Sequence, residues 1–146
     1  MWCRVFACCL VFFALPAWAC NGDDANPVIE RNGKIIFSGK AEDVYDEFPL
    51  ELMPVKARQG SKQGVLLSEL FEKGVKVGSI TVYNCGEKSV TFSLAELRQA
   101  AVDAKQLFLV LSKKRVLKLV RTQGREEKGT SVLMRVTRVQ VVSEGP

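Results

Sequence analysis

The apolar pattern of the C-terminal segment Ser131–Val142 changes phase partway along. Its apolar residues fall into two groups of opposite parity: first Val132, Met134 and Val136, then Val139 and Val141. A one-residue slip in a strand moves every side chain to the other face, so a regular strand would turn one of these groups to solvent. A β-bulge near Thr137–Arg138 would return both groups to the core, and we expect a bulged strand here.

Other short runs rich in β-branched or aromatic residues, bounded by turn formers, predict further strands. These runs are Lys34–Ser38, Leu50–Ala57 (interrupted by Pro54), Ser79–Tyr83, Ser89–Phe92, Gln106–Leu111 and Arg115–Arg121. Residues 84–87 have the composition of a hairpin turn between the third and fourth runs. The chain is therefore expected to be rich in β-structure.

Two segments have helical spacing. Within residues 64–74 the apolar side chains of Leu66, Leu67, Leu70 and Phe71 recur at helical intervals, and Gly74 could end the helix in a left-handed turn. Ser93 and Glu96 form a capping-box pattern that predicts the start of a second helix. Together these elements predict an α+β fold: one domain over residues 33–142, with a mixed β-sheet, two or three short helices and a tail at 143–146.

The first 19 residues have the pattern of a secretory signal peptide. Arg4 gives a positive start, an apolar stretch follows to Leu15, and small residues precede the expected cleavage after Ala19. Proteins that are exported in the folded state have a twin-arginine signal, whereas this segment has a single arginine. We therefore expect Sec-type export to the periplasm. No apolar run reaches the roughly 18 residues of a membrane-spanning helix.

Cys20 would be the first residue of the cleaved chain, which leaves a lipoprotein interpretation open. Trp18 stands where lipoprotein signals have a small residue, so release after cleavage is favoured over lipidation. Residues 20–32 are mostly polar and predict a flexible arm. Cys20 and Cys85 could pair in an oxidising compartment, although their distance in sequence and the terminal position of Cys20 argue against this bridge. The sequence leaves open whether they pair.

The chain contains no histidine, which excludes Ser-His-Asp and Cys-His catalysis and histidine-based metal sites. An acidic stretch follows the first predicted strand, reaches the start of the second and lacks the spacing of a calcium loop. We interpret it as a solvated loop, formed by Glu42, Asp43, Asp46, Glu47 and Glu51.

Charge is distributed unevenly along the chain. Residues 20–104 contain 10 basic and 13 acidic side chains, whereas residues 105–146 contain 10 basic and 3 acidic ones. A basic surface of this kind could bind phosphate, anionic headgroups or an acidic partner. The candidate binding residues are Lys113, Lys114, Arg115, Lys118, Arg121, Arg135 and Arg138.

The alternative is that these cations pair with the protein's own acidic stretch or are solvated edge-strand residues that discourage aggregation. The basic strands lack interleaved exposed aromatic residues, and export also argues against a nucleic-acid partner. The expected partner is a periplasmic protein or a small anionic ligand.

Several motifs together resemble the molybdopterin-binding domain of sulfite-oxidase-type oxidoreductases, over roughly residues 33–142. They are the helix-like segment Gly64–Glu72, the run Ile80–Val82, the Cys85–Gly86 turn, the segment Val90–Leu97 and the closing segment Val136–Val141, in family order. The resemblance implies that family's compact fold. It also implies a site in which a cysteine thiolate and a pterin dithiolene hold molybdenum and basic residues hold the pterin phosphate.

The sequence departs from that family where the metal ligand belongs. The family's cysteine lies some thirty residues before the Gly-Val-x-Leu segment, but there is no cysteine between Asn21 and Asn84. The family's Gly-Pro-Leu segment is also missing. These departures predict a non-catalytic relative with no cofactor, which binds its ligand through the basic C-terminal residues.

Two alternatives stay open. In one, the protein is a molybdopterin-dependent oxidoreductase with Cys85 as an unconventional thiolate ligand and catalytic residue. In the other, it is an envelope lipoprotein anchored through Cys20.

Overall fold

The computed structural model describes residues 26–53, 63–86, 88–123 and 129–144, which form two β-sheets and two α-helices. Sheet A has the strand order β2-β1-β10-β5-β6. These strands are β1 (Val28–Arg31), β2 (Lys34–Ser38), β5 (Gly78–Asn84), β6 (Ser89–Ser93) and β10 (Val136–Ser143). Sheet A is mixed. Strands β1 and β10 run parallel to each other, whereas the pairs β1–β2, β10–β5 and β5–β6 are antiparallel.

Sheet B is antiparallel throughout, with the order β3-β4-β7-β8-β9. Its strands are β3 (Glu51–Leu52), β4 (Gln63–Leu66), β7 (Leu107–Leu111), β8 (Leu117–Arg121) and β9 (Thr130–Leu133). The predicted strand over Leu50–Ala57 is confirmed only at these two residues of β3, and its residues 54–57 lie outside the described ranges. The predicted strand from Arg115 begins two residues later, because Arg115 has a left-handed backbone, with φ +60°, in the β7–β8 turn.

The predicted bulge is present in β10. The register with β5 shifts between Val136 and Arg138, and Val136, Val139 and Val141 are all buried. The expectation of one continuous strand from Ser131 was wrong. The chain leaves sheet B after Leu133 and enters sheet A at Val136, so Met134 lies at the crossing and is 51% exposed.

The predicted arm over residues 20–32 was wrong for its last part. Residues 28–31 form β1, which lies between β2 and β10, and Ile29 is fully buried. Asn32 and Gly33 then make the tight β1–β2 turn with φ values of +52° and +81°. This is the Asn-Gly signal of a two-residue hairpin, so the domain begins before Gly33.

Helix α2 (Leu94–Val102) begins at the predicted capping box. The amide of Glu96 donates to the Ser93 hydroxyl at 3.1 Å, and the Ser93 amide donates to the Glu96 carboxylate at 3.3 Å. The β5–β6 hairpin is also confirmed, and the Asn84 side-chain oxygen accepts from the amides of Gly86 and Lys88.

Four of the five acidic residues predicted to lie in a loop, Glu42, Asp43, Asp46 and Glu47, belong to a helix, and Glu51 lies in β3. Helix α1 (Ala41–Glu47) has Glu42 and Asp43 in its first turn, where carboxylates interact favourably with the helix dipole. Ala41 and Val44 supply its buried face. The acidic residues therefore occupy the exposed side of a packed element.

The helix predicted over residues 64–74 was wrong. Its first residues form β4, and Leu67–Leu70 form a single 3-10 helix. Pairing of Val65 with Leu109 extends sheet B and competes with helix formation at this position. The 3-10 spacing still buries both Leu67 and Leu70, and Gly74 still makes its left-handed turn, with φ +87°.

The main core lies between the inner faces of the two sheets and the helices. It joins Ile29, Val82 and Val139 of sheet A to Leu109 and Leu119 of sheet B. A smaller apolar cluster, formed by Met53, Phe108, Val110 and Val120, lies on the opposite face of sheet B. The protein is a small single-domain α+β protein, mostly β-sheet, which confirms the predicted class. The single mixed sheet that the sequence predicted is instead two sheets, of which only sheet A is mixed.

None of the helices in the described ranges is long and apolar enough to cross a membrane. The predicted signal peptide and Cys20 lie outside those ranges.

Candidate functional site

The seven predicted basic residues do not form one surface. Lys113, Lys114 and Arg115 occupy the β7–β8 turn, and Lys118 lies on the outer face of sheet B, opposite Val110. The remaining three are elsewhere: Arg121 at the end of β8, Arg135 at the crossing between the sheets and Arg138 on the outer face of sheet A.

The basic turn touches the acidic helix. Arg115 Nε lies 3.5 Å from a carboxylate oxygen of Glu42 in α1. Both side chains are largely exposed, so the pair contributes little to stability. This contact agrees with the alternative in which part of the basic segment is neutralised by the protein's own acidic stretch.

Arg138 is held by its neighbours on sheet A. One of its guanidinium nitrogens donates to Glu30 at 3.0 Å, and the guanidinium carbon lies 5.5 Å from the centre of the Tyr83 ring. The Tyr83 hydroxyl in turn donates to the side-chain oxygen of Gln140 at 3.3 Å. The positive charge of Arg138 therefore interacts with groups of the protein itself.

Arg121 differs because it lies beside a groove. Its guanidinium carbon is 5.8 Å from the centre of the half-buried Phe92 ring, a cation–π geometry that fixes the charged group. The groove has a volume of about 340 Å³. It is lined by Phe92, Glu96, Gln99, Ala100, Asp103, Lys105, Leu107 and Arg121.

The local hydrogen bonds of α2 engage both carboxylates in this groove. Glu96 accepts from the Ser93 amide, and Asp103 accepts from the Gln99 side chain at 3.4 Å. In the described part of the chain, neither Lys105 nor Arg121 lies within 4.0 Å of a carboxylate oxygen. Lys105 and Arg121 are therefore the two charged groups of the groove that are available to bind an anion.

The end of α2 positions Lys105. The Lys105 amide donates to the Ala100 carbonyl at 2.9 Å, while Ala104 takes a left-handed backbone with φ +56°. This is a Schellman-type helix ending, which turns the chain back toward β7. No local sequence pattern indicates Lys105, Phe92 or the groove, because the lining residues come from β6, α2, β8 and the segment between α2 and β7.

Arg135 contributes through its backbone. Its carbonyl accepts a hydrogen bond from the Cys85 amide at 3.1 Å, and its own backbone is left-handed, with φ +54°. The Arg135 side chain is exposed. The contact joins the β5–β6 turn to the start of β10.

Cys85 is disulfide-bonded. A disulfide sulfur is not the thiolate that ligates molybdenum, so Cys85 in this state does not fit the ligand role that the oxidoreductase alternative gives it. Elsewhere in the described ranges, no group of three or more Cys, Asp or Glu side chains is arranged to hold a metal ion.

No protein-family model matches the chain significantly, and neither does any curated protein or solved structure.

Proposed function

We propose that this chain is an exported, non-catalytic binding module that captures an anionic group in the groove beside Arg121. It is a fold relative of the sulfite-oxidase-type molybdopterin-binding domains that lacks their molybdenum centre. The anionic group is a phosphate or carboxylate, carried by a small molecule or presented by a periplasmic partner. The predicted signal peptide supports the periplasmic location.

The position of Arg121 carries this proposal. Its guanidinium is fixed against Phe92 at one wall of the groove, and Lys105 lines the same groove. A guanidinium held in place loses less freedom when it binds phosphate or carboxylate in a two-point contact. The apolar surfaces of Phe92 and Leu107 would contact the body of the ligand.

Two features favour binding over catalysis. The chain has no histidine to move protons near neutral pH. The cysteine that the enzyme alternative requires is engaged in a disulfide. The resemblance implies a family in which basic residues hold a phosphate, so retention of anion binding without the metal ligand is chemically consistent.

The proposal is tested by titrating isotope-labelled protein with inorganic phosphate and, separately, with acetate at constant ionic strength. Amide shifts should concentrate at Phe92, Lys105 and Arg121. Arg121→Glu should abolish them, because it places a carboxylate on the groove wall. Lys113→Glu makes the same charge change in the exposed β7–β8 turn and serves as the matched control.

Shifts that survive Arg121→Glu but disappear in Lys113→Glu would move the site to the turn and overturn the proposal. So would spectra that respond to neither anion. Recovery of a bound pterin with the protein from its own envelope would overturn the non-catalytic assignment.

A further inference from the structure

The chain contains five cysteines, of which Cys85 is the only one in the described ranges, and it is disulfide-bonded. Cys3, Cys8 and Cys9 belong to the predicted signal peptide and would be lost on cleavage after Ala19. Within a chain cleaved there, one other cysteine remains to pair with Cys85. That cysteine is Cys20.

The topology of sheet A places the start of β1 near Cys85. Val28 of β1 pairs with Arg138 of β10, and because these strands are parallel, the residues before Val28 run back toward Val136. Val136 is in turn paired with Asn84, next to Cys85. The entry of the N-terminal segment and the β5–β6 turn therefore lie at the same end of the sheet.

The distance to be bridged is short. From β1 to β5 there are two strand spacings, or about 10 Å, with β10 between them. The seven residues Cys20–Asn26 are joined by six Cα–Cα steps, which can span up to about 20 Å when extended. The chain preceding β1 is thus long enough to bring Cys20 to the turn.

The turn itself holds Cys85 in place. The Cys85 amide donates to the Arg135 carbonyl at 3.1 Å, and the Asn84 side chain accepts from the two amides that follow in the loop, those of Gly86 and Lys88. These hydrogen bonds fix the backbone position of Cys85, to which a second cysteine would be joined.

We propose that Cys20 and Cys85 form a disulfide in the exported protein. This bond attaches the N-terminus covalently to the β5–β6 turn, so Cys20 does not serve as a lipid anchor. A sulfur cannot carry both modifications, since lipidation converts the Cys20 thiol to a thioether. The inference rests on the signal-peptide part of the proposed function and is independent of anion binding.

Formation of the bond requires an oxidant, which we assign by class to a dithiol–disulfide oxidase of the envelope. One protein thiolate attacks the oxidase disulfide and forms a mixed disulfide. The second thiolate then displaces the oxidase sulfur. The protein loses two electrons and two protons, and the oxidase leaves as a dithiol.

The experiment is intact-mass analysis of protein recovered from its own envelope, with and without reductant, followed by iodoacetamide. We expect a chain of residues 20–146 that is two hydrogens lighter than the dithiol form. It should be alkylated at no site before reduction and at two sites after it. A non-reduced digest should contain the peptide that links Cys20 to Cys85.

Variants provide a second readout. Cys20→Ser and Cys85→Ser should each leave one thiol that reacts without reductant. Each should also lower Tm by roughly 10 °C, since the bond closes a long loop in the unfolded chain. The double variant should show no further loss beyond the single variants.

A diacylglyceryl mass on Cys20, two reactive thiols in the unreduced protein, a disulfide-linked dimer or an uncleaved leader would each overturn the inference. None of these results depends on whether the groove binds an anion, so the two proposals fail separately. The intact-mass result on the unaltered protein stands even if a variant does not fold.

Discussion

The hydroxyl group of Tyr45 accepts a hydrogen bond from the amide of Leu111 at 2.9 Å, and so ties helix α1 to the end of strand β7. The same hydroxyl donates to the carbonyl of Gln63 in β4 at 2.8 Å. One side chain thereby satisfies two backbone groups of sheet B. The sequence pattern of the acidic segment did not indicate this role.

Replacing Tyr45 with phenylalanine should destabilise the protein by about 1–2 kcal/mol, because the Leu111 amide and the Gln63 carbonyl lose their partner. Chemical denaturation followed by circular dichroism measures the change. Tyr83→Phe, which removes only a 3.3 Å side-chain hydrogen bond to Gln140, is the control and should cost less. Equal losses would contradict the assigned role.

Burial raises the pKa of Tyr45 above 10, and the hydrogen bond from Leu111 partly opposes that shift. The folded protein therefore holds this proton more tightly than the unfolded chain does. The contribution to stability is complete below pH 10 and is lost as the pH rises through the folded-state pKa. Tyr45→Phe should reduce the fall in Tm between pH 9 and pH 11, and an unchanged slope would contradict this assignment.

Glycine at position 104 should stabilise the protein by about 1 kcal/mol. Ala104 has φ +56°, where a Cβ is unfavourable and glycine has no such cost. Ala101→Gly, one turn earlier in α2, makes the same chemical change at a helical backbone and should destabilise by about 0.5–1 kcal/mol. Opposite signs for the two variants in thermal unfolding are expected, and a loss of stability in both would refute the left-handed geometry.

Alanine at position 78 should destabilise the protein by about 2 kcal/mol or more. A Cβ on Gly78 would lie 2.7 Å from both the Phe71 ring and the Val142 carbonyl oxygen. Gly39→Ala is the matched control, because its Cβ would come no closer than 3.4 Å to any neighbour. Urea titrations of the two variants should differ clearly in midpoint, and a Gly78 variant as stable as the control would show that β5 and β10 separate easily.

Removal of the Ser93 hydroxyl by substitution with alanine should cost about 1 kcal/mol, because the Glu96 amide at the start of α2 loses its acceptor. Ser89→Ala, on the exposed start of the same strand β6, should change stability by less than about 0.5 kcal/mol. Hydrogen exchange at the first amides of α2 provides the local readout. Protection that is unaffected by Ser93→Ala would argue against the cap.

Features with a local cause were predictable from the sequence. The capping box at Ser93, the hairpin turn at Asn84 and the bulge implied by the parity of Val136 and Val139 depend on neighbours within a few residues. The candidate site was only partly predictable. The charge of Arg121 makes it a candidate from sequence, but Phe92, which contacts its guanidinium, and Lys105, which lines the same groove, come from other segments.

The sequence alone therefore determined the α+β class and the positions of most strands, since side-chain alternation and turn residues act over short distances. The tertiary structure decided the rest. In it, β1 near the start of the domain pairs with β10 near its end, and residues 63–66 form a strand instead of a helix. The basic residues lie on different faces of the sheets. Strand order and register depend on which apolar faces bury each other, and that is settled only when distant segments pack together.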